Sequence, residues 1–335
     1  MDKALLNDPA LVSLLALLAD GKFHSGQELG ERLGVSRTAI WKQVQKLIQL
    51  ELPLTSTRGQ GYRLEGGLEL LNKEIILTSL NPAVKDVLTE LELLFLTDST
   101  NAHALAKAGQ GQCGYVCLAE QQSAGRGRRG RHWVSPFGKN IYLSISWCFE
   151  SGAGALEGLS LAVAVALRRV LSAAGLTGLA LKWPNDVLCH NRKIAGILLE
   201  MTGDPAGACQ VVVGVGLNVD MPEGAAAGID QPWTDVQSNL RHAGMPPASR
   251  NALTSALISE LLLVLRNFEL QGFAAYRQEW LAHDALVGRE VELRAADRVV
   301  RGRMTGVGPT GALCLDVQGR QQLFYGGEVS LRAAS

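Results

Sequence analysis

At 335 residues the chain is too long for one ordinary hydrophobic core, and two or three domains are expected. An apolar fraction of 47% with 19% charged residues excludes an intrinsically disordered chain. The 32 basic and 32 acidic residues cancel, so no global field recruits nucleic acid or membrane, and any such partner must be read from local clusters.

The start, MDKALLNDPALVSLLALLAD, lacks a basic leading segment and carries Asp2 and Asp8. It reads as an amphipathic first helix, not a signal peptide. The longest uncharged stretches, such as GLSLAVAVAL at 158–167, fall far short of the ~20 apolar residues of a membrane span. The cysteines (Cys113, Cys117, Cys148, Cys189, Cys209 and Cys314) show neither a CxxC nor a metal-ligand spacing with histidine. Reduced thiols in a cytoplasmic protein are expected.

Residues 1–66 are dense in helix signals. Ser25, with Glu28 three residues on, forms a capping box that opens a helix through Leu33, and Gly34 supplies a turn. Ser36 caps a second helix whose inner face is Ile40, Val44, Leu47 and Ile48 at helical spacing. Thr38, Trp41, Lys42 and Gln45 share the other face, with Arg37 at its N-terminal edge. LTSTRGQGYRL then runs out as a strand, turns at 58–61 and returns. A helix–turn–helix followed by a hairpin is a winged helix–turn–helix. From 32 to 63 the charges are Arg32, Arg37, Lys42, Lys46, Arg58 and Arg63 against Glu51, the electrostatic footprint of a DNA face. Winged helices also serve as dimerisation or docking modules.

The Gly66–Gly67 pair marks a boundary. In 67–284, YVCLAEQ, NIYLSISWCF, LALKWPNDVLC, KIAGILLEM and CQVVVGVGLNV are strand-like, while 156–174 and 250–269 carry helical patterns, an order that suggests a mixed-sheet α+β domain. In 285–335, REVELRA, VVRGRMTGV, ALCLDV and QLFYGG are short strands between Asp, Gly and Pro turns. A small β-barrel fits.

Four stretches carry chemistry. GRGRRGR at 125–131 satisfies G-x-G-x-x-G formally, but Pro136 and Gly138 leave no room for the helix that a dinucleotide fingerprint requires. GVGPTG at 306–311 is a second decoy inside a β-rich block, and no Walker loop occurs. Guanidinium forks suit phosphate and carboxylate oxygens, and glycine lets backbone N–H groups approach closely. A mobile surface loop or an RNA-binding tail has the same composition. KWPNDVLCHNRKIAGILLE at 182–200 brings Lys182, Asp186 and Lys193 around a turn, suited to a reaction in which anionic charge is neutralised; a hairpin with surface ion pairs reads the same way. VVVGVGLNVD at 211–220 is a buried strand whose Gly214 and Gly216 leave room for a ligand or for a packed helix. TDSTNAHALA at 97–106 opens a helix with more hydrogen-bonding side chains than one N-cap uses.

DSTN (98–101), GRGRRGRHW (125–133), KWPND (182–186), RKIAGILLE (192–200), GVGLN (214–218) and GGEVSLR (326–332) stand in this order after FHSGQELGERLGVSRTAI. Together they resemble the bifunctional biotin protein ligase and biotin-operon repressor family, over essentially the whole chain. The resemblance implies an α+β multidomain fold: a winged helix–turn–helix (1–66), a biotin- and ATP-binding mixed-sheet α/β domain (67–284) and an SH3-like β-barrel (285–335). The arginine–glycine segment would be the loop that folds over the activated intermediate.

Biotin contacts are implied at Ser99, Thr100, Asn101, Gln122, Arg126, Gly127, Arg128 and Lys193, with Tyr142, Gly196, Gly214 and Gly216 lining the same pocket. Trp133 would stack on adenine, with Lys182, Asn185 and Asn218 near the nucleotide. Ser36, Arg37, Thr38, Trp41, Lys42, Gln45 and Arg58 would face DNA. His132 stands where the family carries lysine, with its side chain directed to solvent, and Trp41 is an unusual group for reading base edges. The implied reaction joins the biotin carboxylate to the α-phosphate of ATP. The anhydride then acylates one lysine of the biotin carboxyl carrier protein of acetyl-CoA carboxylase. Arg126, Arg128 and Lys193 would spread the developing charge with Mg2+ brought by ATP, no metal being permanently bound. Asp186 would accept the proton of the lysine amine, whose reference pKa is about 10.4. The adenylate as corepressor, a homodimer formed on binding it and an operator DNA complete the implied partners. A lipoate or octanoyl transferase relative, a regulator with a dead ligase site and a ligase whose winged helix is not regulatory are the rival readings.

Overall fold

A computed structural model describes residues 8–333 except 51, 151, 204–206, 227, 296–297 and 327–328. The beginning of the expected first helix, Glu51 and the second and third residues of GGEVSLR (327–328) lie outside the described residues. No helix among the described residues is long and apolar enough to cross a membrane.

The N-terminal block follows from its caps. Helix α1 (Pro9–Leu18) starts after Asp8, whose carboxylate accepts from the Ala10 N–H, and buries Leu11, Leu14, Leu15 and Leu18 along one stripe. Helix α2 (Gly26–Leu33) opens at Ser25, whose Oγ accepts from Glu28 N–H at 3.0 Å, and ends at Gly34 with φ 67°, where a side chain would be strained. Helix α3 (Arg37–Ile48) is capped by Ser36 Oγ on Ala39 N–H and buries Ile40, Val44 and Leu47. Ile48, expected on that inner face, is 48% exposed, because one helical step past Leu47 turns it off the stripe. Strands β1 (Leu54–Thr57) and β2 (Gly61–Leu64) pair antiparallel as the wing. A backbone bridge between His24 and Tyr62 ties the wing to the helices.

The central block is a seven-stranded sheet in the order β3-β4-β5-β9-β8-β7-β6. Its strands are β3 (Glu90–Thr97), β4 (Tyr115–Gln122), β5 (Ile141–Phe149), β6 (Leu179–Lys182), β7 (Asp186–Cys189), β8 (Arg192–Gly203) and β9 (Cys209–Leu217). Only β3 and β4 run parallel. Alternation assigns each face its cover. Val116, Leu118, Val213 and Val215 join the core of α6 (Leu159–Ala173) and α8 (Arg250–Gln271). Tyr115, Cys117, Ala119 and Val212 pack with Ala104 and Ala108 of α5 (Thr100–Ala108) instead. Three shorter helices had no clear signal in the sequence: α4 (Lys73–Thr78), α7 (Val236–His242) and α9 (Ala274–Ala282).

The C-terminal block is a five-stranded antiparallel sheet in the order β13-β12-β11-β10-β14. These strands are β10 (Glu290–Ala295), β11 (Arg298–Val307), β12 (Leu313–Val317), β13 (Arg320–Phe324) and β14 (Val329–Ala333). Among the described residues no ladder joins β13 to β14, so the sheet is open where a closed barrel was expected. Val291, Leu293, Met304 and Leu313 belong to the same core as α6 and α8, and Trp183 Nε1 donates to Gly311 O at 3.1 Å.

One expectation about the cysteines is corrected. Tyr115 on β4 faces Ser146 on β5, so the positions two residues beyond each, Cys113 and Cys148, also face one another. They form a disulfide (Cα–Cα 5.5 Å) instead of two reduced thiols, while Cys117, Cys189, Cys209 and Cys314 are free and buried.

A buried polar network fixes the connection between the first two blocks. Arg250 at the start of α8 donates to Glu120 Oε2 at 2.8 Å, to Asn140 O and to Glu69 O. Glu120 also accepts from Leu71 N–H, and the Glu69 carboxylate accepts from the Arg250 and Asn251 amides. Arg250 and Glu120 are each only 4% exposed, so neither charge can be solvated if the other is lost. Arg250→Leu is therefore expected to lower unfolding stability by about 3–5 kcal/mol. Urea unfolding measures it, and an unchanged midpoint would contradict the assignment.

Candidate functional site

The site begins with side chains that are missing. Gly214 and Gly216 lie on the β9 face that carries α5, and Gly196 on β8 is in register with Gly216. A Cβ at Gly214 would fall inside the Asn101 amide, and one at Gly216 would fall inside the Trp133 indole. A Cβ at Gly196 would meet the same ring at 3.0 Å. The glycines thus admit Asn101 and Trp133 to the sheet surface.

Asn101 is aimed by the first turn of α5. Ser99 caps that helix through Ala102 N–H, and Asp98 Oδ1 accepts from Ser99 N–H at 2.7 Å. The Thr100 amide and hydroxyl both donate to Gln122 Oε1, at 2.9 and 3.1 Å. Ser144 Oγ lies 2.6 Å from Asn101 Oδ1, and Asn101 Nδ2 donates to Glu200 at 2.8 Å. DSTN therefore builds a rigid polar floor as well as a cap.

The arginine–glycine segment joins β4 to β5 and folds back on itself. Gly127 N–H donates to Arg131 O at 2.7 Å, Trp133 N–H donates to Gly125 O at 2.9 Å, and Arg126 bridges His132. The reversal runs through Arg129 and Gly130 at φ 60° and 67°. Arg126 reaches the Glu200 carboxylate at 3.3 Å, and Arg128 donates to Asn185 Oδ1 at 3.3 Å. This is a structured loop tied to β8 and to the β6–β7 turn, not a tail.

Opposite the loop, Lys182 and Asp186 face each other across the β6–β7 pair. Lys193 Nζ stands 2.7 Å from Asp186 Oδ1, off the axis of a good hydrogen bond, and 5.4 Å from the centre of the Trp133 ring. Burial lowers the Lys182 pKa, Asp186 pulls it back up and the Lys193 ammonium lowers it again. Asn185 Nδ2 donates to Ile197 O, and Asn218 Nδ2 to Thr234 O.

These groups surround one cavity of about 640 Å³. It gathers Ser99, Thr100, Asn101, Gln122, Arg126, Gly127 and Arg128 with Trp133, Lys182, Asn185, Asp186, Lys193, Gly196, Gly214, Gly216 and Asn218. Tyr142 does not line it. Tyr142 is 1% exposed, burial raises its pKa, and its hydroxyl donates to Pro136 O, so it props the segment behind the loop. His132 is exposed at the cavity rim. The residues expected to face DNA lie elsewhere: Ser36, Arg37, Thr38, Trp41, Lys42 and Gln45 on exposed α3 positions, Arg58 at the wing tip.

The sequence reading missed several contributors. Arg129 and Arg131 line the cavity, as do Asp230 and Trp233, whose neighbours Pro232 and Thr234 hydrogen-bond the Lys193 backbone. A Pro–Trp pair in a polar stretch was the only signal for that wall. Leu331 and Arg332 reach the cavity from β14, inside a motif that had no role assigned. Glu200, which holds both Asn101 and Arg126, ends RKIAGILLE and was not singled out. Among the described residues no group of three or more His, Cys, Asp or Glu side chains gathers into a metal site.

A winged helix joined to a seven-stranded mixed sheet, with a cavity lined mainly by cationic side chains, defines the class. Residues 11–63 match an HTH domain, 94–218 the biotin/lipoate A/B protein ligase family, and 286–332 the biotin protein ligase C terminal domain. The chain is 41% identical over 323 residues to the bifunctional ligase/repressor BirA of Escherichia coli, covering 96% of this chain and 97% of that protein. It is 38% identical over 246 residues to the biotin--[acetyl-CoA-carboxylase] ligase of Paracoccus denitrificans, covering 70% of this chain and all of that one. The solved biotin protein ligase from Aquifex aeolicus in complex with biotin and ATP superposes with a TM-score of 0.59 at 25% identity, over 73% of this chain and 100% of that chain. The chain belongs to the biotin protein ligase family, with the domain order of its bifunctional ligase/repressor members.

The cavity floor can be tested without reference to catalysis. Gly216→Val is expected to displace the Trp133 ring while the α6–α8 core holds, which tryptophan emission would report as a shift. Ligand affinity in the cavity should fall at least about tenfold, the consequence of losing ~1.4 kcal/mol. Unchanged biotin titration would show that the ring does not shape the site.

Proposed function

We propose that this chain is an ATP-dependent biotin protein ligase whose adenylate product also makes it a transcriptional repressor. The carrying observation is convergence: DSTN, GRGRRGR, KWPND, RKIAG and GVGLN contribute to one cavity although they are spread over some 120 residues. In the first step a biotin carboxylate oxygen bonds to the α-phosphorus of ATP, and the bond to the pyrophosphate oxygen breaks. Lys193, Arg126 and Arg128 neutralise the charge that develops on the phosphoryl oxygens. Ser99, Thr100, Asn101 and Gln122 supply the polar contacts that orient biotin, over the floor left by Gly196, Gly214 and Gly216. Gly127 lets the loop backbone close on it. Trp133, Lys182, Asn185 and Asn218 take the nucleotide.

Mg2+ would come with the triphosphate, its main ligand source, beside Asp186 and Asp230 on the cavity wall, and when bound it offsets phosphate charge. In the second step the lysine amine of a biotin carboxyl carrier protein bonds to the acyl carbon and AMP leaves. Asp186 takes the amine proton once Lys193 has turned from it to the ligand. ATP as a substrate supports a cytoplasmic setting. The C-terminal sheet, open between β13 and β14 among the described residues, would correspond to the SH3-like domain, and its Arg332 lines the cavity.

Lys193→Ala is expected to reduce biotin-dependent exchange between pyrophosphate and ATP by at least about tenfold, since a charged hydrogen bond is worth roughly 1.5–3 kcal/mol. Exchange at the parental rate would reject the assignment. Exchange supported by lipoate in place of biotin would favour the lipoate-type relative.

The repressor arm rests on the winged helix and on the ligase/repressor relatives. One recognition helix and one wing give a small DNA interface, so repression calls for a two-fold dimer on operator DNA. Supporting a link to the ligand, Phe137 lies four residues beyond Trp133 and joins the core cluster of α1, α2 and α3. Biotinoyl-adenylate would order the 125–138 segment and so favour the homodimer, and by linkage the dimer must hold the adenylate more tightly. Sedimentation and operator titration with and without biotin plus ATP should both shift. If both stay fixed, the protein is a ligase with a passive winged helix.

A further inference from the structure

Helix α3 presents an uncharged stripe with an exposed indole at its middle. Thr38, Trp41 and Gln45 follow one another at helical spacing, opposite the buried Ile40, Val44 and Leu47. Trp41 is 53% exposed, and its indole makes no ring contact or hydrogen bond among the described residues. No Asp or Glu occurs in the helix, and the exposed Arg37 and Lys42 flank the indole on either side. A basic rim around an exposed apolar centre is complementary to duplex DNA, whose major groove offers phosphates at its margins and one apolar group, the thymine 5-methyl, on its floor.

We infer that Trp41 determines sequence specificity by packing against the 5-methyl group of a thymine in each operator half-site. This rests on the DNA-binding reading above. The neighbours agree with it. Gln45, one turn on, carries the side-chain amide that can bond adenine N6 and N7 bidentately, and Thr38, one turn back, has a methyl and a hydroxyl but no charge. The guanidinium and ammonium groups that suit guanine stand at the edges of the stripe, where they meet phosphates. The centre of the half-site contacted by α3 is therefore an A·T pair, thymine against Trp41 and adenine against Gln45.

Full-length protein with biotin and ATP is used to select binding sites from randomised duplexes. The expected outcome is a thymine enriched at one position in each half-site. Replacing that thymine by deoxyuridine removes only the methyl group and should weaken parental binding roughly three- to tenfold. Trp41→Ala should be insensitive to the same replacement, while Trp41→Phe, which keeps an apolar face, should stay sensitive. The salt dependence of Trp41→Ala should match the parent, because no phosphate contact is lost. Selection without a thymine, or equal deoxyuridine sensitivity in Trp41→Ala, overturns the inference but leaves DNA binding standing. A Trp41→Ala protein that selects the same thymine but no longer dimerises assigns the indole to the protein interface and overturns it too. Failure of the parent to bind any duplex overturns the DNA-binding reading itself.

Discussion

Strand β9 must satisfy two opposed demands on alternate residues. Val211, Val213, Val215 and Leu217 belong to the core beneath α6 and α8, while Gly214 and Gly216 turn an empty face to the other side. Glycine inside a strand costs about 0.5–1 kcal/mol of stability relative to alanine. A position between two long neighbours offsets that, since β9 is paired along its length to β5 on one side and β8 on the other. The cavity exists because the strand is apolar where it is covered and bare where Asn101 and Trp133 must lie. Every other element of the site is arranged on that surface.

The same surface connects to the N-terminal block. Trp133 ends the arginine–glycine loop, Tyr142 holds Pro136 behind it, and Phe137 packs at a tilt against Phe95 with ring centroids 4.7 Å apart. Phe95 and Phe137 share a core with Leu11, Ile40 and Val44 of the helix block, and Leu68 and Leu70 of the linker pack on that core. At Gly138 even a methyl group would collide with Leu68. The buried Arg250–Glu120 pair then holds the linker backbone in register with β4 and α8. Loop, linker and winged helix are thus one packed unit, so a change in loop order has a short mechanical route to the DNA-facing helix.

What could be read from the sequence was local. The caps at Ser25 and Ser36 and the Ile40, Val44 and Leu47 part of the α3 stripe are settled within a few residues and fell where spacing put them, while Ile48 did not. Arg126, Arg128, Lys182, Asp186 and Lys193 stood out because clustered charge beside glycine is rare in a folded interior. What was hidden depends on register and tertiary packing. The Cys113–Cys148 pairing follows from which residues of β4 and β5 lie opposite. Tyr142 pairs with Gly216 on the cavity face of the sheet, yet its hydroxyl is tied to Pro136 O behind the loop and it does not line the cavity. Trp233 and Arg332 arrive from segments 40 and more residues downstream of Lys193, with no local pattern to announce them. Strand β3 escaped because its short Glu90–Leu93 alternation runs straight into the continuous apolar stretch Leu93–Leu96, so no single period marks it; Glu92 is held by Tyr115 and His103.

The charge of the cavity bears on both halves of the proposed reaction. Among the described residues Arg126, Arg128, Arg129, Arg131, Lys182, Lys193 and Arg332 line it against Asp186 and Asp230, seven positive groups to two negative ones. Part of that excess is offset within the protein, Lys193 leaning on Asp186, Arg126 on Glu200, and Lys182 shifted toward its neutral form. An adenylate keeps its phosphate charge after pyrophosphate departs, so the cations that favour its formation also retain it. The proposed acceptor is itself a lysine, and it would meet the same field. A cationic, partly desolvated surrounding lowers an ammonium pKa, which favours the neutral amine that can attack an acyl carbon. In the proposed reaction the positive cavity would thereby contribute to deprotonating the nucleophile, and Asp186 would be left to take one proton from an amine already biased to release it.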